Sequence, residues 1–196
     1  MFVVDTSGSM YSNKISAVNA ALYECVGVIR EKIRDGLDIN VFYSSFDETM
    51  KPISKLDNIL DRNLPKFETI EENGFYKLTS FSKLYDGLIA FFEDRNYSLS
   101  EVLIVLITDG KAVDSMKYES KLNKIKNIKG FRKAIKIVAR VDGGLYSSSQ
   151  DLFEFVDNNA NRICELSGLA NEINILISSD CNYNHSDDSF YNTIFK

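Results

Sequence analysis

Phe2-Val3-Val4-Asp5-Thr6-Ser7-Gly8-Ser9-Met10 opens the chain, and its reading decides the rest. Three apolar residues run into an acid, and two serines follow at alternate positions around a glycine. A strand that ends in Asp-x-Ser-x-Ser presents one carboxylate and two hydroxyls to a single point. These are hard oxygen donors, which suit a hard divalent cation such as Mg²⁺ or Mn²⁺. The same residues also suit a plain strand leading into a capped helix, because Ser and Asp are good N-caps. What else in the chain reaches the same point decides between the two.

Working outward, Ser12 is a candidate N-cap. Ile15, Val18, Leu22, Val26, Ile29 and Ile33 then recur at three- and four-residue steps. That spacing predicts one apolar face of a helix over residues 12–34, ended by Gly36. Leu37, Ile39, Val41 and Tyr43 alternate with Asp38, Asn40, Phe42 and Ser44, a strand through about Phe46. Residues 49–53 read as a short edge strand, where Pro52 is tolerated. A short helix is expected near 57–64. Thr79-Ser80-Phe81-Ser82 leads into a helix with Leu84, Leu88, Phe91 and Phe92 on one face.

The run 102–107 is continuously apolar and rich in β-branched residues, as expected of a central strand covered on both faces. It ends in Thr108-Asp109-Gly110. Asp114 or Ser115 caps the next helix, with Leu122, Ile125 and Ile128 inward and Gly130 closing it. A strand at 134–141 runs into Asp142-Gly143-Gly144. Ser149 or Asp151 starts a short helix with Leu152, Phe155 and Val156. A last short strand at 162–165 precedes a helical face of Leu166, Leu169, Ala170, Ile173, Leu176 and Ile177.

This alternation predicts an α/β fold. Three αβα layers form around a doubly wound, mostly parallel sheet with one short antiparallel edge strand. Ligands in such folds sit beyond the carboxyl ends of the strands, where the strand order reverses. Asp5 and Asp109 both fall at carboxyl ends of apolar strands. On neighbouring strands they would stand about 5 Å apart. Two carboxylates that close repel unless a cation lies between them.

At 196 residues the chain is read as one domain over residues 1–178 with a polar tail at 179–196. Its net charge of −5 and lack of a basic run argue against a nucleic-acid surface. No apolar run is long enough to span a bilayer, and the start has no export-signal pattern. Because only three apolar residues precede Asp5, a few further residues are expected ahead of Met1. Cys25, Cys164 and Cys181 are too widely spaced for a zinc motif and fit free thiols in a reducing cytoplasm. The sequons Asn96-Tyr97-Ser98 and Asn184-His185-Ser186 are read as chance.

Taken together, Asp5, Ser7 and Ser9, then Thr79, then Asp109 followed by Gly110 resemble the von Willebrand factor type A (VWA) domain. That family carries a metal-ion-dependent adhesion site on three loops: Asp-x-Ser-x-Ser, a distant Thr, and a distant Asp often followed by Gly. The resemblance implies a Rossmann-like VWA fold and a metal set of Asp5, Ser7, Ser9, Thr79 and Asp109. The family's usual Gly-Gly before the Thr is replaced here by Lys77-Leu78, which leaves Ser80 and Ser82 as rivals to Thr79. It further implies Mg²⁺ or Mn²⁺, with Ca²⁺ as another candidate. A partner's Asp or Glu carboxylate would complete the coordination. The DTSGSM wording and the compact acidic chain are similar to VWA proteins of bacterial tellurium-resistance and chemical-stress gene clusters. That likeness implies a cytoplasmic setting, no membrane, and a kinase or phosphatase of the same cluster as partner. Some intracellular VWA proteins instead serve as regulatory subunits of ATPases of the chelatase type.

Enzymatic readings lack their parts. Ser7 stands where a haloacid-dehalogenase-type hydrolase needs its second Asp. The lone His185 lies in the tail, away from any serine nucleophile of the motif. No phosphate-cradling GxxxxGK[ST] loop and no dinucleotide fingerprint occur. A Mg²⁺-dependent phosphoesterase is the remaining catalytic reading. Asp47, Asp114 and Asp142 read as turn or cap residues, and Lys111 as a surface lysine.

Overall fold

The apolar run near 102–107 forms β6 (Leu103–Thr108) in the interior of the sheet. The computed structural model describes residues 1–69, 71–72, 75–94, 101–110, 113–141 and 150–180. The opening stretch forms β1 (Phe2–Asp5), and α1 (Asn13–Arg34) follows after a single 3₁₀ turn at Gly8–Met10. Then come β2 (Phe42–Phe46), β3 (Ser54–Lys55) and a small ribbon of β4 (Glu71–Glu72) with β5 (Phe75–Tyr76). After α2 (Phe81–Asp94) and β6, the order is α3 (Ser115–Lys126), α4 (Lys129–Lys133) and β7 (Ile135–Arg140). It closes with α5 (Gln150–Phe155), β8 (Ile163–Glu165) and α6 (Leu169–Asp180).

The sheet order is β3-β2-β1-β6-β7-β8. All its pairs are parallel except the antiparallel β2–β3 edge. From β1 the chain winds to β2 on one side and later to β6 on the other. The order therefore reverses between β1 and β6, the place where a doubly wound sheet opens a crevice.

Strand alternation divides the core in two. Val3, Ile104 and Leu106 face α2, α3 and α4 on one side, among Phe81, Tyr85, Phe92, Tyr118 and Phe131. Phe2, Val4, Val105 and Ile107 face α1 and α6 on the other, among Val18, Leu22, Leu169 and Ile173. β1 is buried at every residue, Asp5 included. Apolar burial on both faces at about 25 cal/mol per Å² is what holds the polar loop ends in register.

Several local expectations are corrected. The strand expected from Leu37 begins only at Phe42, where Phe2 of β1 faces Tyr43 and Lys55 of β3 faces Phe42. The edge strand is Ser54–Lys55 and not 49–53; Pro52 has no N–H for a ladder, and only a Phe46–Met50 bridge forms nearby. No helix forms over 57–64. Residues 57–61 are turns, with Asn58 at φ +53 in the left-handed region. Ser12 precedes α1 as expected but with φ +65 and no side-chain cap bond. Gly130 does not end α3. It lies within α4, where an added Cβ would stand 2.8 Å from the Phe92 ring, so the missing side chain lets α4 close onto α2. Asp142-Gly143-Gly144, Ser149, Lys111, both sequons, Cys181 and the tail from 181 lie outside the described residues.

Cys25 is buried and Cys164 half-buried, both as free thiols. Burial pushes their pKa values up to about 12 and about 11, so both stay protonated and unreactive. Among the described residues no helix is long and apolar enough to cross a membrane.

Candidate metal centre

Asp5 ends β1 and Asp109 directly follows β6, its parallel neighbour, so adjacent strand ends carry the two acids. Asp5 is fully buried. Its Oδ1 accepts from the Ser7 amide at 2.9 Å. Its Oδ2 accepts from Thr108 Oγ1 at 2.6 Å, and Thr79 Oγ1 lies 3.4 Å away. From Thr79 the oxygens continue outward. Thr79 Oγ1 donates to Ser7 Oγ at 2.8 Å, Ser7 Oγ is 3.2 Å from Ser9 Oγ, and Ser9 Oγ donates to Asp109 Oδ1 at 2.7 Å. All five residues expected at the site therefore form one continuous oxygen row.

The loops are tied to each other by backbone bonds. The Gly8 amide donates to Lys77 O at 2.8 Å, and the Val113 amide donates to Thr79 O at 3.1 Å. The Ser80 amide donates to Asp47 O at 3.1 Å. Thr79 sits just ahead of α2, and the hydroxyl of its rival Ser80 is engaged elsewhere. Ser80 Oγ donates to Asp114 Oδ2 at 2.6 Å, and the Ser82 amide donates to the same oxygen at 3.0 Å. Asp114 was expected to cap α3. Its side chain makes no bond there and instead caps α2, also accepting from the Phe81 amide at 3.0 Å. Three orphan donors at the start of α2 outcompete the start of α3 for one carboxylate. Asp47 is a turn residue as expected, its Oδ1 accepting from the amide and hydroxyl of Thr49.

Burial raises the Asp5 pKa to about 6. Hydrogen bonds from Thr108 and Ser7 oppose that rise, and nearby Asp109 adds to it. A carboxylate paying this desolvation cost without a matching positive charge invites a cation. The donor set fits one. Neighbouring ligands around an octahedral ion with bonds near 2.1 Å lie about 3 Å apart. Successive oxygens here are 2.7–3.2 Å apart from Thr79 through Ser7 and Ser9 to Asp109, and 3.4 Å between Thr79 and Asp5. A Cβ added to Gly110 would lie 3.7 to 3.9 Å from Thr79 Oγ1, Ser9 Oγ and Thr108 Oγ1, so this glycine leaves the face of the row uncovered. Among the described residues no three His, Cys, Asp or Glu side chains cluster, so a cation here would rely on hydroxyls as much as on acids.

Two residues of the site carried no role in the sequence reading. Thr108 braces Asp5 from β6; its only signal is its place beside Asp109. Lys14 forms an ion pair with Asp109 Oδ2. Its signal was available: a lysine in the first turn of a helix opposes the helix dipole and needs a nearby anion.

No family model matches the sequence, and no curated protein matches it at a significant level. Solved structures do match in fold. A von Willebrand factor type A protein from Catenulispora acidiphila aligns with TM-score 0.56 and 13% identity over 89% of this chain and 40% of that one. Manganese-loaded Plasmodium vivax TRAP protein aligns with TM-score 0.56 and 18% identity, over 90% and 70%. The mussel byssus proximal thread matrix protein 1, with a zinc-occupied MIDAS motif, aligns with TM-score 0.52 and 14% identity, over 92% and 44%. The chain thus spans less than half the length of two of these three. At such identities the likeness is one of fold, and that fold is the VWA-type α/β sandwich.

Proposed function

We propose that this VWA-fold chain is a metal-dependent protein-interaction module, with Asp5, Ser7, Ser9, Thr79 and Asp109 as the ligand set. The observation that carries the reading is the oxygen row from Asp5 to Asp109 at the switch point of the sheet. Asp5 and Asp109 supply two negative charges, and three neutral hydroxyls supply the remaining protein donors. A divalent cation held there would be balanced by the two carboxylates yet still electrophilic, and with Lys14 beside Asp109 the centre stays open to one carboxylate from outside. Thr108 and the Ser7 amide hold Asp5 in place, and Ser9 holds Asp109. The ligands are thereby oriented before the cation arrives. Mg²⁺ is the preferred ion, with Mn²⁺ and Ca²⁺ as substitutes. The partner contributes an Asp or Glu side chain.

The setting we favour, a bacterial cytoplasmic stress-response assembly of the tellurium-resistance kind, is supported by the sequence resemblance alone. So is a role beside a kinase or phosphatase, or as a regulatory subunit of a chelatase-like ATPase. We assign binding and not turnover, since both acids are occupied in holding hydroxyls. A phosphodiesterase and phosphatase screen with Mn²⁺ tests this: turnover lost in Asp5→Ala would overturn it. The metal reading is tested by Mn²⁺ titration followed by electron paramagnetic resonance. One ion per chain is expected, lost in Ser7→Ala and in Asp109→Ala. Retention of full affinity in both would sink the reading.

A further inference from the structure

Each of the three metal-site loops carries a large apolar side chain that the core does not use. Tyr11, two residues beyond Ser9, is 57% exposed; Leu78, directly before Thr79, is 55% exposed; Val113, four residues beyond Asp109, is 60% exposed. Elsewhere the chain buries such residues well. Only Tyr23 and Phe75 among the other described large apolar residues are exposed to this degree. Phe75 lies on β5, two residues before Lys77, whose carbonyl holds the first loop.

These side chains stand on fixed backbone. The Tyr11 amide donates to Gly8 O at 3.2 Å and the Leu78 amide to Glu48 Oε1 at 3.1 Å. The Val113 amide donates to Thr79 O, so Leu78 and Val113 flank Thr79 from two different loops. An oxygen row on loops that also carry exposed apolar side chains inverts the usual order of an interface. Usually the rim is polar and the centre apolar. Such an arrangement selects a ligand whose charge is central and whose flanks are apolar.

We infer that the loops bearing Tyr11, Leu78 and Val113 form a docking face for a protein segment in which one acidic residue is flanked by large apolar side chains. The inference rests on the metal reading and adds the context of the partner's carboxylate. Charge complementarity favours the occupant: Lys14 beside Asp109, together with a divalent cation, leaves the centre positive and short of one anion. An anionic membrane offers the same chemistry, but the chain's net charge of −5 opposes that approach.

The test uses the full chain and two fluorescent nonapeptides with a central aspartate, one flanked by leucine and phenylalanine, the other by serine and glycine. Fluorescence anisotropy is read in Mn²⁺ and in EDTA, with phosphatidylserine vesicles as a third probe. The apolar-flanked peptide should bind at least tenfold tighter in Mn²⁺, and EDTA should release it. Leu78→Ser combined with Val113→Ser should remove the tenfold preference and leave Mn²⁺ affinity, read by electron paramagnetic resonance, unchanged. Equal binding of the two peptides, a preference surviving in the double variant, or vesicle binding without peptide binding would each overturn the inference while leaving the metal reading intact. Failure of the wild-type chain to bind Mn²⁺ would remove both.

Discussion

Asp5 and Asp151 are both buried carboxylates that accept hydroxyl hydrogen bonds, yet their surroundings differ in kind. Asp5 meets small hydroxyls at a strand end: Thr108, Thr79 and, beyond it, Ser7 and then the exposed Ser9. Asp151 sits in α5 under aromatic rings and accepts from Tyr118 Oη. Tyr118, Tyr85 and Phe81 meet in edge-on and tilted ring contacts, and Asp151 Oδ2 and Tyr85 Oη have no hydrogen-bond partner among the described residues. Compact hydroxyls carry a row of oxygens outward from the buried Asp5 to the exposed Ser9. Phenols fill the space they polarise. On the proposed reading the first cluster receives a cation, whereas the second is packed among rings.

The comparison breaks most directly on metal affinity. Ser7→Ala or Asp109→Ala removes a proposed ligand, and a loss above a hundredfold in Mn²⁺ affinity is expected, since even outer-shell changes reach that scale. Asp151→Asn should leave it unchanged. Isothermal titration of the three variants checks both halves, and a matching loss in Asp151→Asn would erase the distinction.

Proton linkage separates the two clusters next. Asp5 has its pKa raised to about 6 in the fold from an ordinary 3.8, chiefly by burial. Between those values the folded chain holds a proton that the unfolded chain has released. Unfolding free energy therefore falls as pH rises through this window. The full cost above pH 6 is roughly 3 kcal/mol, at about 1.4 kcal/mol per unit. Urea melts of the metal-free chain should show this slope between pH 4 and 6.5, and Asp5→Asn should flatten it. Saturating Mg²⁺ at pH 7 should restore the stability, because only the ionised carboxylate suits the cation. Parallel slopes for wild type and Asp5→Asn would show that Asp5 does not carry the effect.

In the aromatic cluster, Tyr118→Phe leaves Asp151 with no hydroxyl donor. A destabilisation of about 2 kcal/mol is expected by urea titration, the usual scale for orphaning a buried polar group. Mn²⁺ affinity should not move. Burial and the bond to Asp151 both push the Tyr118 phenol pKa up, so the hydroxyl is a constant donor and the loss should be flat across pH 5–8.

What could be read in advance follows from how local each signal is. That Asp5 and Asp109 come together was legible because strand ends are marked by where apolar runs stop, and both stand at such stops. Thr79, Ser80 and Ser82 were not separable in the sequence, since the engagement of the Ser80 hydroxyl depends on Asp114 reaching back from beyond β6. Long-range capping of that kind has no periodicity to find. The turn at Asn58 defeated a helix reading because one left-handed residue outweighs several modest propensities.

The smallest expected effect tests how finely the metal loops are balanced. Lys14 reaches Asp109 Oδ2 from the first turn of α1, and its side chain is 31% exposed against 4% for Asp109. A partly exposed pair is worth up to about 1 kcal/mol. A cation entering the row must take Asp109 from that ammonium. Lys14→Met keeps the aliphatic length and removes the competitor, so Mn²⁺ should bind a few-fold tighter, on the order of fivefold at the upper limit. Raising salt should shrink the gain, because screening weakens the pair in the wild-type chain first. Weaker Mn²⁺ binding in Lys14→Met would reverse the assignment: Lys14 would then be orienting Asp109 for the cation, and the helix terminus would belong to the site as a support.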